Sequence, residues 1–301
     1  HTHSGKAGVL GRLAARRAGV PVIIHTIHGP SFGRFQGTAA NFVFRAAERL
    51  AARATTHFVT VADAMRDQYL TAGIGRPEQY TRVFSGFPLQ PYLASANDLE
   101  MRKRVGVDTD DFVIGKIARL FDLKGHADLI AIAPALVDEY PNIRFLLVGD
   151  GPLRDQLEEQ VSKLDLDDHF IFAGLVAPHE VPRYVGVMNV LAHLSLREGL
   201  PRALPQAMAA GRPVVAYDCD GAREVCLEDE TGYLLKPGDR EGLKDRLLRL
   251  ADDPTLCERL GKRGQQLATE SFSVERMVDD LYKLYRKLLD DHEEKLLARR
   301  R

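Results

Sequence analysis

The sequence contains no tryptophan and only three cysteines in 301 residues. Cys219, Cys226 and Cys257 form no CxxC pair and leave one cysteine unpaired, which favours a reduced, cytoplasmic compartment over a disulfide scaffold. No run of about 18 apolar residues is present, and no signal segment is evident. The sequence therefore predicts a soluble protein that at most lies on a membrane surface.

Charge is nearly balanced overall but uneven along the chain. The formal net charge is −1, yet residues 1–106 hold 14 Lys and Arg against 6 Asp and Glu. Such a basic segment is typical of a solvated surface, and it would also suit an anionic partner such as an acidic membrane. The basic stretch KLLARRR at the end of the chain allows the same two interpretations.

Short β-branched runs alternate with amphipathic stretches along the whole chain, which predicts parallel sheets flanked by helices. The predicted strands are 21–26, 57–61, 112–118, 143–149, 169–174, 189–194 and 213–217. Helical patterns occupy 38–53, 126–139, 152–163, 201–210 and 273–289.

The polar, proline-containing stretch 86–111 predicts a junction between two domains. We predict the remainder of an N-terminal Rossmann-like domain at 1–92, a C-terminal Rossmann-like domain at 93–272 and a C-terminal helix at 273–301. Only two or three predicted strands precede the junction, and so small a sheet would leave its edges uncovered. We therefore expect the first domain to lack its opening strands.

Two cations follow a predicted strand in IARLFDLKGH, namely Arg119 and Lys124. Ligands of open parallel sheets bind beyond the carboxyl ends of the strands, and two cations there suit a diphosphate. A pair of surface charges would give the same pattern. The next glycine-rich turn, VGDGPLRD, does not complete a dinucleotide fingerprint because Arg154 replaces the third glycine.

The stretch SLREGLPRALPQAMAAG places Glu198 before a predicted helix and Gln206 within it. Two prolines delay the start of this helix, so the main-chain N–H groups near Gly199 and Leu200 would be open to an anion. Helical rise separates Glu198 and Gln206 by about 12 Å. That span suits a nucleotide sugar, which has hydroxyl groups at both ends and charge in the middle.

The stretch SLREGLPRALPQAMAAGRPVVAYDCDGAREV resembles the signature region of the retaining glycosyltransferases of family 4. The likeness extends through HTHSGKAGVLGR, HTIHG, GKIARLFDLKGHADLI and IFAGLV, and it covers nearly the whole chain. The resemblance implies an α/β structure of the GT-B type, in which two Rossmann-like domains face a cleft and the final helix crosses back to the first domain.

Site residues are carried over from the resemblance by position. It implies that Glu198 and His3 are the catalytic residues that face the transferred sugar. The residues expected to bind the donor diphosphate are Arg119, Lys124, Gly199 and Leu200. Gln206 would bind the ribose, where the family has glutamate, so a charged hydrogen-bond acceptor has become a neutral one. His28 and His25 end a predicted strand and are further candidates for the cleft wall.

The resemblance implies transfer of a hexose from a nucleotide sugar, expected to be a UDP-sugar, to a glycan or lipid-linked acceptor in cell-surface polysaccharide or glycolipid synthesis. The reaction that the resemblance implies requires no cofactor, metal or protein nucleophile. We expect no metal at the Asp-x-Asp triplets 108–110, 165–167 and 218–220. Two alternatives stay open: a nucleotide-sugar epimerase of the same fold, and a nucleotide-sugar binding module without transfer activity. Nothing in the sequence predicts a nucleic-acid partner.

Overall fold

The computed structural model describes residues 1–33 and 35–299, and these fold into two compact units. The first unit contains His1–Gly86, the short segment Glu198–Leu200 and the C-terminal stretch from Val274. The second unit contains Phe87–Arg197 and Pro201–Ser273. The sequence predicts the domain boundaries after residues 92 and 272, whereas the units divide after Gly86 and Ser273. The last two arginines of KLLARRR lie outside the described residues.

The first unit is built on a sheet of four parallel strands in the order β1-β2-β3-β4. The strands are β1 (Thr2–His3), β2 (Ile24–Ile27), β3 (His57–Thr60) and β4 (Tyr80–Arg82). The helices that alternate with them are α1 (Gly5–Arg17), α2 (Thr38–Ala52) and α3 (Asp63–Thr71).

The second unit is built on six parallel strands in the order β10-β9-β8-β5-β6-β7. The strands are β5 (Phe112–Ile117), β6 (Ile143–Val148), β7 (Phe170–Gly174), β8 (Val190–His193), β9 (Val214–Tyr217) and β10 (Gly232–Leu235). The helices are α4 (Gln90–Leu93), α5 (Leu99–Val105), α6 (His126–Glu139), α7 (Arg154–Ser162), α8 (Val181–Gly186), α9 (Ala203–Ala209), α10 (Arg240–Asp252) and α11 (Pro254–Ser271).

A 26-residue helix, α12 (Val274–Arg299), belongs to the first unit. Its Leu284 and Leu288 are buried against Ile24 of β2 and Val59 of β3. Burying one leucine is worth about 2 kcal/mol, so α12 contributes substantially to the core of this unit. Despite the length of α12, no helix in the described part of the chain combines enough length and apolarity to cross a membrane.

The order of the strands locates the candidate site in the second unit. β5 lies between β6 and β8, so the path of the chain through the sheet reverses between β5 and β8. Asn189 holds these two strands together, because its main-chain N–H donates to the Val113 carbonyl and its Oδ1 accepts from the Val113 N–H, each at 2.8 Å. In open parallel sheets, ligands bind beyond the carboxyl ends of the strands at such a reversal.

The predicted α/β class with two parallel sheets is confirmed. Seven predicted strands coincide with β2, β3 and β5 to β9, and the helix predicted at 126–139 is α6. The sequence does not predict β1, β4 or β10. β1 and β4 have only two and three residues, which is too short to show a period. β10 has four residues, as β2 and β3 do, and is missed all the same. The stretch 86–111 contains two short helices, and the second is capped by Asp98, whose Oδ1 accepts from the N–H of Glu100 at 3.0 Å.

Candidate active site

Two loops follow the carboxyl ends of β5 and β8, and their main chains are joined. The N–H of Leu196 donates to the carbonyl oxygen of Leu123 at 2.8 Å. Gly125 has a φ of +68°, and a Cβ atom at this position would overlap the carbonyl oxygen of Leu194. Only glycine combines this backbone conformation with so close an approach, so Gly125 allows the two loops to pack together.

The predicted phosphate ligands Arg119 and Lys124 both lie on the loop that follows β5. Arg119 is exposed, and its guanidinium carbon lies 5.2 Å from the ring centre of Phe121. The Nε2 atom of His126, the first residue of α6, lies 3.0 Å from the carbonyl oxygen of Arg119, so this nitrogen carries the proton it donates. The bond fixes the main chain from which the Arg119 side chain projects.

The charges near this loop are predominantly positive. Lys116 is buried on β5. Burial, followed by the charge of Lys116, lowers the pKa of His126 to about 4. The same two causes lower the pKa of His193, at the end of β8, far below its usual range. Both rings are therefore neutral near pH 7, and the positive field of Lys116, Lys124 and Arg119 favours an anionic ligand.

Neither Lys116 nor His126 is predicted from the sequence as part of the site. The signal for Lys116 is a lysine in the middle of the apolar strand FVIGKIA, because a cation is rarely placed in a buried strand without a specific role. The signal for His126 is its position directly after Lys124 and Gly125 at a helix start. Only the structure shows that it reaches back to Arg119.

Gln206 lies on α9 and lines a cavity of about 560 Å³ within the second unit. This volume is typical of small-molecule sites. The wall is largely apolar and includes Ile117 at the end of β5 and Val176 beyond β7. Its polar side chains are those of Gln206, Arg202, Tyr92 and His179. Burial raises the pKa of Tyr92 to about 12, so its hydroxyl keeps its proton near pH 7.

The predicted catalytic residue His3 ends β1 in the first unit. Its Nδ1 lies 2.9 Å from Nε2 of His28, which directly follows β2. Gly199 belongs to the same unit, and a Cβ atom on it would overlap the carbonyl oxygen of His28. The structure therefore brings His3, His28 and the Gly199 backbone together, and it requires glycine at position 199.

The predicted site residues fall into two groups. Those of the first unit are His3, Glu198, Gly199 and Leu200, and those of the second are Arg119, Lys124 and Gln206. Glu198 is half-buried, whereas Gly199 and Leu200 are buried. Leu200 is bonded directly to Pro201 of the second unit, so one continuous stretch of chain supplies Glu198 to one unit and Gln206 to the other.

The Asp-x-Asp triplets take part in local structure. Asp218 accepts a hydrogen bond from Nε of Arg223 at 2.9 Å. The N–H of Asp108 donates to Oδ2 of Asp111 at 2.7 Å. Within residues 1–33 and 35–299, no three His, Cys, Asp or Glu side chains are arranged to hold a metal ion.

Two sequence profiles match the chain. Residues 97–267, more than half of the chain, match the family described as glycosyl transferases group 1. Residues 1–85 match the glycosyl transferase 4-like domain. The two matches together include every predicted site residue.

Individual proteins of known identity are similar over most of this chain. The Escherichia coli UDP-Gal:alpha-D-GlcNAc-diphosphoundecaprenol alpha-1,3-galactosyltransferase is 26% identical over 289 residues, which are 95% of this chain and 74% of the relative. The capsular polysaccharide biosynthesis glycosyltransferase CapM of Staphylococcus aureus is 24% identical over 294 residues, 96% of this chain and 77% of the relative. The crystal structure of Anabaena HepE in complex with UDP-glucose superposes with a TM-score of 0.85 at 25% identity, covering 94% of this chain and 77% of that one.

Proposed function

Since the chain belongs to the glycosyl transferases of group 1 and is a glycosyltransferase, we propose that it moves a hexose from a UDP-sugar to a glycan or lipid-linked acceptor with retention of configuration. The observation that carries the proposal is the cation pair Arg119 and Lys124 at the point where the strand order reverses. The UDP-Gal named for the E. coli relative and the UDP-glucose bound by HepE support the donor. The diphosphoundecaprenol acceptor of the former and the capsular role of CapM support cell-surface polysaccharide or glycolipid synthesis.

In this proposal the donor lies along the loops that follow β5 and β8. Arg119 binds two oxygens of the diphosphate and Lys124 acts as a point charge, assisted by the main chain at Gly199 and Leu200. The nucleoside occupies the cavity lined by Gln206, whose amide oxygen accepts from a ribose hydroxyl. The apolar wall of that cavity suits a nucleobase.

The reaction exchanges one glycosidic bond for another. The bond between the anomeric carbon and the β-phosphate oxygen breaks, and UDP leaves with the bonding electrons. The acceptor oxygen bonds to the anomeric carbon on the same face, and its proton passes to the departing phosphate. Arg119 and Lys124 stabilise the negative charge that develops on the diphosphate, while Glu198 and His3 contact the sugar and orient it.

We also propose that the protein works in the cytoplasm at the inner face of an acidic membrane, where a lipid-linked acceptor would lie. The exposed face of α2 supports this contact. Its apolar side chains Phe42, Val43 and Leu50 are 71%, 61% and 52% exposed, and Arg49 on the helix and Arg53 directly after it are exposed cations. Apolar and basic groups on one helix are typical of helices that lie in an acidic lipid interface. Flotation with vesicles that contain or lack phosphatidylglycerol tests the contact, and equal binding to both would contradict it.

The transfer activity is tested by supplying UDP-, GDP- and ADP-hexoses with diphospholipid-linked and free glycan acceptors. We expect release of UDP coupled to formation of an α-glycoside from an α-linked donor, and slower reaction with GDP- and ADP-sugars. A product that is itself an epimerised nucleotide sugar would establish the epimerase instead. If the protein binds UDP but no acceptor causes it to release free UDP from a UDP-sugar, it is a binding module.

A further inference from the structure

Arg119 and Phe121 lie on either side of a buried leucine in the loop that follows β5. The main chain of this residue, Leu120, is bonded to the loop that follows β6. Its N–H donates to the carbonyl oxygen of Asp150 at 3.0 Å, and its own carbonyl oxygen accepts from the N–H of Leu153 at 3.1 Å. Because Leu120 points into the core, its two neighbours point away from it, and both are exposed.

Two donors hold the carbonyl group of Arg119. The N–H of Phe121 donates to this oxygen at 2.8 Å, and Nε2 of His126 lies 3.0 Å from it. A carbonyl oxygen has two lone pairs, so these two bonds use both of them. The main chain at Arg119 is therefore fixed, and the position of its guanidinium depends only on the torsions of the side chain.

The ring of Phe121 restrains that side chain. The guanidinium carbon of Arg119 lies over the ring, 5.2 Å from its centre, and a cation is attracted to an aromatic ring within about 6 Å. Within residues 1–33 and 35–299, the Arg119 side chain forms no hydrogen bond or ion pair with the protein. The ring contact therefore orients the guanidinium while its N–H groups remain available to an anion.

The exposure of Phe121 fits this role better than a role in the core. The residue is 43% exposed, so its ring contributes little to the apolar interior of the second unit. An arginine side chain loses rotational freedom when it binds a ligand, and a contact that restrains it beforehand lowers this cost. A ring beside the exposed Arg119 supplies such a contact.

We propose that Phe121 is a positioning residue for Arg119. Its ring holds the guanidinium in the orientation in which two N–H groups meet oxygens of the donor diphosphate. Phe121 acts through Arg119 and not on the donor itself. The inference rests on the proposed function for the diphosphate ligand, whereas the restraint of the Arg119 side chain is a property of the protein without donor.

The binding test compares Phe121→Leu with Phe121→Tyr. Leucine keeps an apolar side chain but has no ring, whereas tyrosine keeps the ring. We expect Phe121→Leu to weaken UDP binding about threefold, the scale of an exposed cation–π contact, and to leave uridine binding unchanged. Phe121→Tyr should bind UDP as the wild type does. In an Arg119→Gln protein, Phe121→Leu should cause no further loss.

A matched control is available in the first unit. Phe84 lies 4.3 Å from the guanidinium carbon of Arg82 and has no place in the proposed site, so Phe84→Leu should leave UDP binding unchanged. Three results would contradict the positioning role in proteins of normal melting temperature. Phe121→Leu could bind UDP as tightly as the wild type, it could lose UDP and uridine binding equally, or Phe121→Tyr could be as weak as Phe121→Leu.

The second test needs no nucleotide. The ¹⁵Nε–¹H NMR signal of Arg119, assigned from an Arg119→Gln spectrum, should report a more restricted side chain in the wild type and Phe121→Tyr than in Phe121→Leu. Equal mobility in all three proteins would overturn the inference even if the wild type transfers sugar. If Arg119→Gln binds UDP as the wild type does while the Arg119 signal is restricted as expected, the diphosphate assignment fails and the restraint by Phe121 stands.

Discussion

The backbone of Gly125 packs directly on the carbonyl group of Leu194, and this contact joins the loop after β5 to the loop after β8. The neighbouring hydrogen bond from Leu196 to Leu123 supports the same junction. The proposed diphosphate ligands Arg119 and Lys124 lie on the first of these loops. We therefore expect changes at the junction to affect donor binding as well as stability.

Gly125→Ala should destabilise the fold and weaken UDP binding. The left-handed backbone costs alanine about 1 kcal/mol, and the overlap with Leu194 adds about 2 kcal/mol more. Gly238→Ala is the matched control, because Gly238 has a φ of +83° with no atom within 4 Å of the added Cβ. Thermal melts and UDP titrations should show a larger loss for position 125 in both measurements. Equal losses would mean that the junction has no special role.

Glu198→Gln should reduce turnover about 100-fold, the scale of losing one group that acts in the transition state. The dissociation constant for UDP should change little, because UDP lacks the transferred sugar that we propose Glu198 contacts. Glu159, whose carboxylate pairs with Lys163 on the surface of α7, provides the control Glu159→Gln, which should retain wild-type kcat. Wild-type turnover in Glu198→Gln would remove Glu198 from the sugar.

Gln206→Glu should tighten UDP binding by about 1 kcal/mol, or about fivefold in Kd, because a carboxylate accepts a hydroxyl hydrogen bond more strongly than an amide. The gain should disappear with 2′,3′-dideoxy-UDP, which has no ribose hydroxyls to donate. Calorimetric titration with both nucleotides measures this difference. No gain with UDP would show that the cavity is already adapted to the amide.

Stability should fall as pH falls from about 6.5 towards about 4 because His126 resists protonation in the folded protein. Burial and the charges of Lys116 and Lys124 lower its pKa from 6.5 to about 4. Between these pH values the His126 ring of the unfolded chain binds a proton and that of the folded chain does not. The free energy of unfolding therefore falls by up to about 3 kcal/mol. Chemical denaturation across this range should show a weaker pH dependence in His126→Gln. An unchanged pH dependence would contradict the assignment.

The strand and helix pattern of the second unit is largely predictable from the sequence, because its strands are continuous apolar runs and its helices have clear periods. The helix at 126–139 shows this. The short strands β1 and β4 have no readable period, and their existence depends on pairing with neighbours distant in sequence. The pattern of apolar residues within a short segment does not indicate such pairing.

The residues of the candidate site also differ in whether the sequence alone predicts them. Arg119 and Lys124 are predictable because a cation after a strand has a defined place at the edge of a parallel sheet. The contact between His3 and His28 joins the last residue of β1 to the residue after β2, 25 positions away in sequence, and burial of Lys116 depends on the whole sheet around it. Neither follows from spacing along the chain.

The central claim, that the loop after β5 binds the diphosphate of a UDP-sugar, is tested most directly by titrating UDP and uridine into the wild type and Lys124→Ala. We expect the substitution to weaken UDP binding by about tenfold or more, the scale of a charge-assisted hydrogen bond, and to leave uridine binding unchanged. Equal weakening of both ligands, or no weakening of either, would contradict it.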